Sequence, residues 1–186
     1  MSEVVDFYQQ EAKQVHENVL AIMKQHGVDR LTQYGFPTRH DEDWKYSQPD
    51  AFLKERFTTT TSHKSFSNKS TIDPRIVIST FSEALKNHKE LMEKYLPRII
   101  IGDHGFHALN TAMFNTSFVI YVPKKVKVKE PITLSHFQTQ PNKAVYARYL
   151  FILEDGAELS IIEEYKGKDK ICYFTNVISE AFLHEN

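Results

Sequence analysis

The chain has 186 residues, enough for one medium domain or for one small domain with part of another. Its 23 basic and 24 acidic residues nearly cancel, so overall charge gives no reason to expect a nucleic acid or anionic membrane partner. A single cysteine excludes an internal disulfide framework, and no segment approaches the roughly 20 apolar residues of a membrane-spanning helix. These features predict a soluble cytoplasmic protein.

Residues 3–26 have the apolar period of a helix. The side chains that step by three or four along one stripe are Val5, Tyr8, Ala12, Val15, Val19 and Ile22. This spacing predicts one amphipathic helix that ends at Gly27, because glycine adopts the left-handed conformation of a helix end at little cost. The apolar stripe must cover either the body of the same chain or a partner helix.

The next segment, residues 35–47, is rich in charge and holds the only tryptophan. Two interpretations of it stay open. In the first, Arg39 pairs with Asp41 and Asp43 around the aromatic anchor Trp44, and the segment pins the N-terminal helix to the body. In the second, the segment is an acidic site or a partner contact, although its carboxylates lack the spacing of a known calcium loop.

The middle of the chain alternates short elements with polar segments. A short helix is predicted within residues 47–57, with Pro49 in its first turn, and residues 58–71 form a Ser/Thr/Lys-rich linker or mobile loop. Short strands are predicted at 76–78 and 99–101.

Between those two strands, Thr80 and Glu83 form the pattern of a capping box. It predicts a helix that stops before Pro97, because proline cannot continue a helix. His88 lies on the apolar stripe of that helix, which predicts a core histidine.

The apolar period changes between Ala108 and Ile132, from helical spacing to strand-like alternation. Residues 118–122 are apolar on both faces, and Pro123 ends that strand. Further strand-like runs begin near residues 132, 145, 158 and 171. Regular short strands of this kind are typical of a sandwich, a barrel or a β-helix, and the spacing does not choose among them.

One internal echo points to a repeat. The turn pattern Leu153–Gly156 is followed thirty residues later by a similar pattern, Leu183–Asn186. Repeat folds need several copies and a cap, so we expect the chain to be the front part of a longer protein.

Two stretches resemble the SufB/SufD family of iron–sulfur cluster assembly proteins, and SufD more than SufB. The first, the family motif, comprises Pro37, Thr38, Arg39, Asp41, Glu42, Asp43, Trp44, Lys45 and Tyr46. The second runs from Ala108 to Ala112, with Asn110 and Thr111 at its centre, and continues in 119–124 and 131–132. Residues 173–177 are a weaker match, and Lys125 stands where the family pattern has glycine.

The resemblance implies an α+β fold. An N-terminal mostly helical region, 1–96, with its mobile Ser/Thr-rich loop near 58–71, would precede the first rungs of a truncated right-handed parallel β-helix in 97–186. The motif residues would be structural or partner contacts.

The resemblance also implies a non-catalytic scaffold: the N-terminal fragment of a SufD-like subunit that assembles with SufB-like and SufC-like subunits. ATP would be bound by SufC, and the full complex would handle the iron–sulfur cluster. The cluster-building positions of the family lie in its C-terminal half, so the resemblance places no cofactor, metal or catalytic residue in this chain. The exposed end of a truncated β-helix predicts self-association.

The reactive side chains support few alternatives. Cys172 lies in an apolar run and is predicted to be a small buried hydrophobe. Asp103, His104 and His107 carry atoms suited to a metal, but no fourth ligand is evident. A cupin-like β-barrel enzyme using His104, His107 and His136 is the alternative function, although no His-x-His pair is present. The basic run 124–129 is predicted to be a solvated strand face.

Overall fold

The computed structural model describes residues 3–13, 20–60, 64–67, 73–99 and 104–185, and its architecture is α+β, as predicted. The helices are α1 (Glu3–Lys13), α2 (Ala21–Tyr34), α3 (Pro49–Leu53), α4 (Phe81–Asn87), α5 (Lys89–Tyr95) and α6 (Gly105–Met113), with 3-10 turns at Glu42–Trp44 and Leu96–Arg98. Within these described residues, no helix combines the length and apolar character needed to cross a membrane.

The described residues include eight strands, which form two sheets. They are β1 (Thr58–Thr59), β2 (Lys64–Ser67), β3 (Val77–Thr80), β4 (Thr116–Val122), β5 (Ile132–Gln138), β6 (Lys143–Leu153), β7 (Ile161–Gly167) and β8 (Tyr173–Leu183). In the first sheet, β6 pairs in parallel with β1, β4 and β8, and β3 pairs with β4 in antiparallel fashion. The second sheet has the order β2-β5-β7, with β5 and β7 parallel.

Strand β6 lies at the centre of the molecule because both of its faces are buried. Ala144, Tyr146, Leu150 and Ile152 face an apolar cluster shared with the helices. The alternate residues Val145, Ala147, Tyr149 and Phe151 face a second cluster built with β4 and β5. The first sheet is therefore a middle layer between the helices and the second sheet.

Paired parallel strands are about 30 residues apart in the sequence. Leu153 pairs with Leu183, and the Gly156 amide donates to the Glu185 carbonyl at 2.9 Å, so the two halves of the sequence echo stand side by side. Lys124 and Lys127 form ion pairs with Asp155 and Glu158, each 31 residues further along the chain.

The prediction of one helix over 3–26 was wrong. Leu20 has non-helical dihedrals (φ −93°, ψ 10°), and a separate helix, α2, starts after it. The apolar stripe of α1 therefore does not continue into α2. Val5, Tyr8 and Ala12 are buried as predicted, but Ile22 is 75% exposed. Val15 and Val19 lie outside the described residues.

Gly27 does not end a helix but lies inside α2, where it is buried against α6. The helix ends instead at Gly35, whose backbone conformation (φ 65°, ψ −163°) is one that glycine accepts readily. The two glycines serve different purposes, and spacing alone did not separate them.

The helix predicted after Thr80 begins with the capping box, in which Thr80 and Glu83 exchange hydrogen bonds. It breaks at His88 (φ −135°, ψ 49°) into α4 and α5. Because the break rotates this residue off the apolar stripe, His88 is exposed, and the core-histidine prediction was wrong.

Two parts of the Ser/Thr-rich segment 58–71 are strands rather than loop. Thr58 and Thr60 donate backbone hydrogen bonds to the carbonyls of Asn142 and Ala144, and β2 pairs with β5. Backbone pairing at a sheet edge needs no buried side chain, which explains why composition missed it. Strands from both sides of residue 97 therefore share each sheet, and the division into two regions stays a prediction.

Three further predictions met mixed outcomes. The helix around Pro49 is confirmed as α3. The lysines of 124–129 are exposed as predicted, but the segment is a turn with one isolated bridge at Lys127 rather than a strand. Lys125 adopts a φ of 60° where the family pattern has glycine. Most of the strand predicted at 99–101 lies outside the described residues.

Candidate functional site

The family motif forms a compact turn at the surface. The Asp41 carboxylate accepts hydrogen bonds from the Thr38 amide at 2.6 Å and from its hydroxyl at 3.1 Å. These donors lower the pKa of Asp41. The next residues form the 3-10 turn Glu42–Trp44, after which Lys45 pairs with Glu42 at 2.5 Å. Local hydrogen bonds therefore set the shape of the motif.

The inner side of the motif is aromatic. The Trp44 ring lies 5.2 Å from Phe106 and 5.7 Å from His104, both at the start of α6. Phe106 continues the contact to Phe36 and Phe52. Trp44 therefore joins the motif to α6, which agrees with the aromatic anchor of the first interpretation, and the role of the segment stays a prediction.

The outer side of the motif is polar and open. A cleft of about 320 Å³ is bordered by Arg39 and Lys45 of the motif and by side chains that follow it, Ser47, Gln48, Ala51 and Lys54. Tyr46 is 92% exposed. The motif thus separates an anchoring face from a solvent-facing one.

The second resembling stretch lies inside the molecule. The Asn110 side-chain amide donates to the carbonyls of Ala147 at 2.9 Å and Asn176 at 3.0 Å. In return, the Asn176 amide donates to the Phe106 carbonyl at 2.8 Å. These bonds join α6 to two neighbouring strands, β6 and β8.

The adjacent residue, Thr111, takes part in a buried ionic contact. Its hydroxyl accepts a hydrogen bond from the Arg148 guanidinium at 2.7 Å. The same guanidinium forms an ion pair with Glu180 at 2.8 Å, and the Arg148 side chain is fully buried. Burial lowers the pKa of Arg148, and the Glu180 carboxylate opposes that shift.

The residues of the alternative enzyme do not converge. His104 and His107 have ring centroids 5.6 Å apart, but His136 lies on β5 of the second sheet, stacked on Tyr165 at 4.9 Å and contacting the Tyr149 hydroxyl at 3.2 Å. Asp103 lies outside the described residues. Across the described part of the chain, no three His, Cys, Asp or Glu side chains are placed to hold a metal. The cupin-like alternative has no support.

Cys172 is exposed, in the turn before β8, so the prediction of a buried hydrophobe was wrong. The strand begins one residue later, at Tyr173, which leaves the thiol outside the apolar layers.

Comparison with known proteins finds a matching family and several relatives. A family model described as the SufBD protein N-terminal region matches residues 59–134. An iron–sulfur cluster assembly SufBD family protein of Synechocystis is 24% identical over 208 residues, covering 91% of this chain and 46% of the relative. Residues 59–134 therefore match the SufB/SufD family, in agreement with the resemblance seen in the sequence.

Other relatives agree with this assignment. The iron–sulfur cluster assembly protein SufD of Bacillus subtilis is 27% identical over 120 residues, which are 61% of this chain and 27% of that protein. A SufBD family protein of Trieres chinensis is 35% identical over 91 residues, 47% of this chain and 18% of the relative. The chain thus spans less than half the length of these SufB/SufD relatives. The stretch around Asn110 lies within the matched region, and the Pro37–Tyr46 motif lies outside it.

Sequence reasoning missed Arg148, which donates a hydrogen bond to the Thr111 hydroxyl, and Glu180, its ion-pair partner. Arg148 and Glu180 are charged residues inside runs that are otherwise apolar or small, which was the available signal. A buried charge in such a run needs a partner, and here the partner lies on the neighbouring strand.

Proposed function

We propose that this chain acts as the N-terminal part of a SufD-like scaffold subunit in iron–sulfur cluster assembly, with no catalytic activity of its own. The observation that carries the proposal is the match of residues 59–134 to the SufBD N-terminal region, supported by relatives named for iron–sulfur cluster assembly. The buried contacts of Asn110 and Thr111 fit a structural role, because each of these side chains joins α6 to the sheet.

The proposal includes a right-handed parallel β-helix that begins in the C-terminal half. Two sets of parallel strands support it: β4, β6 and β8 in one sheet, and β5 with β7 in the other. In each set, consecutive strands are about 30 residues apart, and the turn containing Lys124 stacks on the turn containing Asp155. A coil of two strands per turn has this pattern, and the handedness is taken from the family resemblance.

The partners in the proposal are a SufB-like and a SufC-like subunit, with ATP bound by the latter, in the cytoplasm. The support is the name of the SufD relative, an iron–sulfur cluster assembly protein, and the two partners are taken from the family resemblance. The chain would contribute shape and contacts, and the cluster would be handled by the whole complex.

The test is affinity purification of the tagged gene product from its native host, with an untagged strain as the control. We expect SufB-like and SufC-like subunits to co-purify, and we expect depletion of the gene to lower the activity of iron–sulfur enzymes. Recovery of neither subunit, together with undiminished enzyme activity, would contradict the proposal.

A second arm uses the purified 186-residue chain alone. After anaerobic incubation with iron and sulfide and removal of unbound metal, we expect no retained iron and no ATP hydrolysis. A stable visible charge-transfer band from bound iron would show that the chain has a cluster site of its own.

A further inference from the structure

A carboxylate lies between the two sheets at β7. The Glu163 carboxylate accepts hydrogen bonds from the Tyr165 hydroxyl on its own strand and from the Ser179 hydroxyl of β8, the latter at 2.7 Å. Glu163 is half-buried, and within the described part of the chain no cationic side chain forms an ion pair with it. Lys166, the cation on the same strand, pairs with Glu164 instead, at 3.1 Å. A carboxylate that is taken out of water needs a cation to offset the loss of hydration.

The charge of Glu163 acts on three neighbouring rings. Burial raises the pKa of the Tyr149 hydroxyl, and the Glu163 carboxylate raises it further. Burial also raises the pKa of the Tyr165 hydroxyl, in addition to the effect of its hydrogen bond with Glu163. At His136, burial lowers the pKa, and the same carboxylate opposes that shift. The space between the sheets is therefore negatively charged at this point, which favours a cation.

The Tyr165 ring offers a flat surface beside this carboxylate. One face of the ring stacks on His136 of β5, with centroids 4.9 Å apart and an angle of 8° between the ring planes. The residue is nevertheless 54% exposed, because β7 pairs only with β5 among the described strands. Neighbouring strands of a sheet are about 4.7–4.9 Å apart, so the next strand at this edge would place a side chain on the open face of Tyr165.

We propose that a further strand adds to the free edge of β7 and presents an arginine that stacks on Tyr165 and pairs with Glu163. A guanidinium is planar and carries its donors in a fork, so it stacks on a ring and binds a carboxylate at the same time. A lysine would bring only a point charge, and an aromatic side chain would leave Glu163 without a cation. Diagonal neighbours two residues apart on adjacent strands are within reach of long side chains.

The strand comes from the next coil of a longer subunit, and in this respect the inference rests on the proposed function. A second copy of the chain does not supply the arginine, because neither β7 nor β8 contains one. His136 of β5 and Tyr165 of β7 are partners in register and stand 29 residues apart. One more step of this length places the arginine at about position 194, beyond Asn186.

The first arm of the test reads the gene downstream of the codon for Asn186. We expect the reading frame to continue and to encode an arginine within about one residue of position 194. A stop codon after Asn186, or a lysine or neutral residue in place of the arginine, would overturn the proposal.

The second arm compares Glu163→Gln in the 186-residue chain and in the longer gene product by urea unfolding. In the longer product we expect the folding equilibrium constant to fall about tenfold or more, because a hydrogen-bonded charge loses its partner. In the 186-residue chain we expect little change, because no cation pairs with Glu163 there. The matched control is Glu164→Gln, which removes the neighbouring carboxylate of the exposed Lys166 pair and should have the same small effect at both lengths.

A double-mutant cycle in the longer product combines Glu163→Gln with replacement of the arginine by glutamine. If the two groups form one pair, the double variant should lose no more stability than either single variant. Additive losses, or an equal effect of Glu163→Gln at both lengths, would overturn the proposal.

The outcomes separate this inference from the scaffold function. Additive losses, together with co-purification of SufB-like and SufC-like subunits, would remove only the arginine contact. Coupled losses without co-purification of either subunit would confirm the arginine contact and contradict the scaffold proposal.

Discussion

Arg148 is among the largest fully buried side chains in the part of the chain that the structure describes. Its guanidinium lies between Thr111 of α6 and Glu180 of β8, so one side chain of β6 joins two other elements. Taking a guanidinium and a carboxylate out of water costs free energy that their attraction offsets only when the geometry is good. The main effect of this contact is therefore to fix the position of α6 on the sheet, and its net contribution to the free energy of unfolding is small.

The substitution Glu180→Ala tests this contact. We expect the free energy of unfolding to fall by about 3–5 kcal/mol in urea titrations, because a buried guanidinium loses its carboxylate. The double variant R148M/E180L removes both charges and should recover most of that loss. A small effect of Glu180→Ala would contradict the burial of the pair.

His136 links stability to pH. Burial lowers the pKa of this histidine below its ordinary value of 6.5, with the Glu163 charge acting in the opposite direction. Since the unfolded chain then binds more protons than the folded chain, the contribution of His136 to stability is present at neutral pH. It is lost as the pH falls below about 6.5.

We therefore expect the urea midpoint of the unmodified chain to decline between pH 7.5 and 5.5, and to decline less in the variant His136→Phe, which keeps the ring stacked on Tyr165. The carboxylates of Asp41 and Asp73 have lowered pKa values and titrate at more acidic pH, so they do not account for a decline in this pH range. Parallel declines in both proteins would assign the pH dependence to other groups.

At the scale of the element, the crossing of α2 and α6 depends on a glycine. A Cβ atom at Gly27 would stand 2.7 Å from the Thr111 carbonyl carbon and 2.9 Å from the Ala112 Cα. Backbone atoms at that distance have no room to yield without moving a whole helix. The close approach places Thr111 and Asn110 where they reach the sheet.

The variant Gly27→Ala separates packing from helix propensity. Propensity alone predicts a gain of about 1 kcal/mol for alanine inside a helix, whereas overpacking predicts a loss of about 1–3 kcal/mol or more. We expect the loss, measured as a lower midpoint of thermal unfolding. The comparison is Gly35→Ala, where an added Cβ meets no atom within 4 Å and only the backbone conformation (φ 65°, ψ −163°) opposes the change, at a cost of about 1–3 kcal/mol. A stabilised Gly27→Ala chain would disprove the tight crossing.

At the scale of the whole molecule, the sheets leave edges. In the described part of the chain, β8 pairs with β6 along one edge and no strand lies along the other, and β7 likewise pairs only with β5. Ile162, Tyr165 and Leu183 on these two strands are among the exposed large side chains. Unpaired strand edges with apolar side chains favour association with other strands.

We expect the purified 186-residue chain to self-associate in a concentration-dependent manner, as measured by light scattering coupled to size-exclusion chromatography. The variant Ala181→Lys places a charge at an exposed position of β8 and should shift the equilibrium toward monomer. Gln33→Lys, an equivalent charge on the exposed side of α2, is the control. A monomer at high concentration would count against edge pairing.

Local interactions account for the successful sequence predictions. The Thr80–Glu83 capping box, the Pro49 helix and the strand runs of the C-terminal half depend on residues near one another, and each is confirmed. The family itself was evident from two short motifs. The echo between Leu153 and Leu183, from which a repeat was predicted, agrees with the parallel pairing of β6 and β8, in which these two residues are partners.

The failures share a different origin. Whether Gly27 ends a helix, whether His88 is buried and whether the Ser/Thr-rich segment pairs with a sheet depend on elements far away in the chain. The sequence by itself determined the resemblance to the SufB/SufD family, the α+β class and the local caps, since these follow from short-range patterns. Only the tertiary structure decided that Trp44 faces inward while Arg39 and Lys45 border a cleft, and that Arg148 meets Glu180. The reason is that burial belongs to the packed layers as a whole, and a side chain's partner is set by which strands and helices come together.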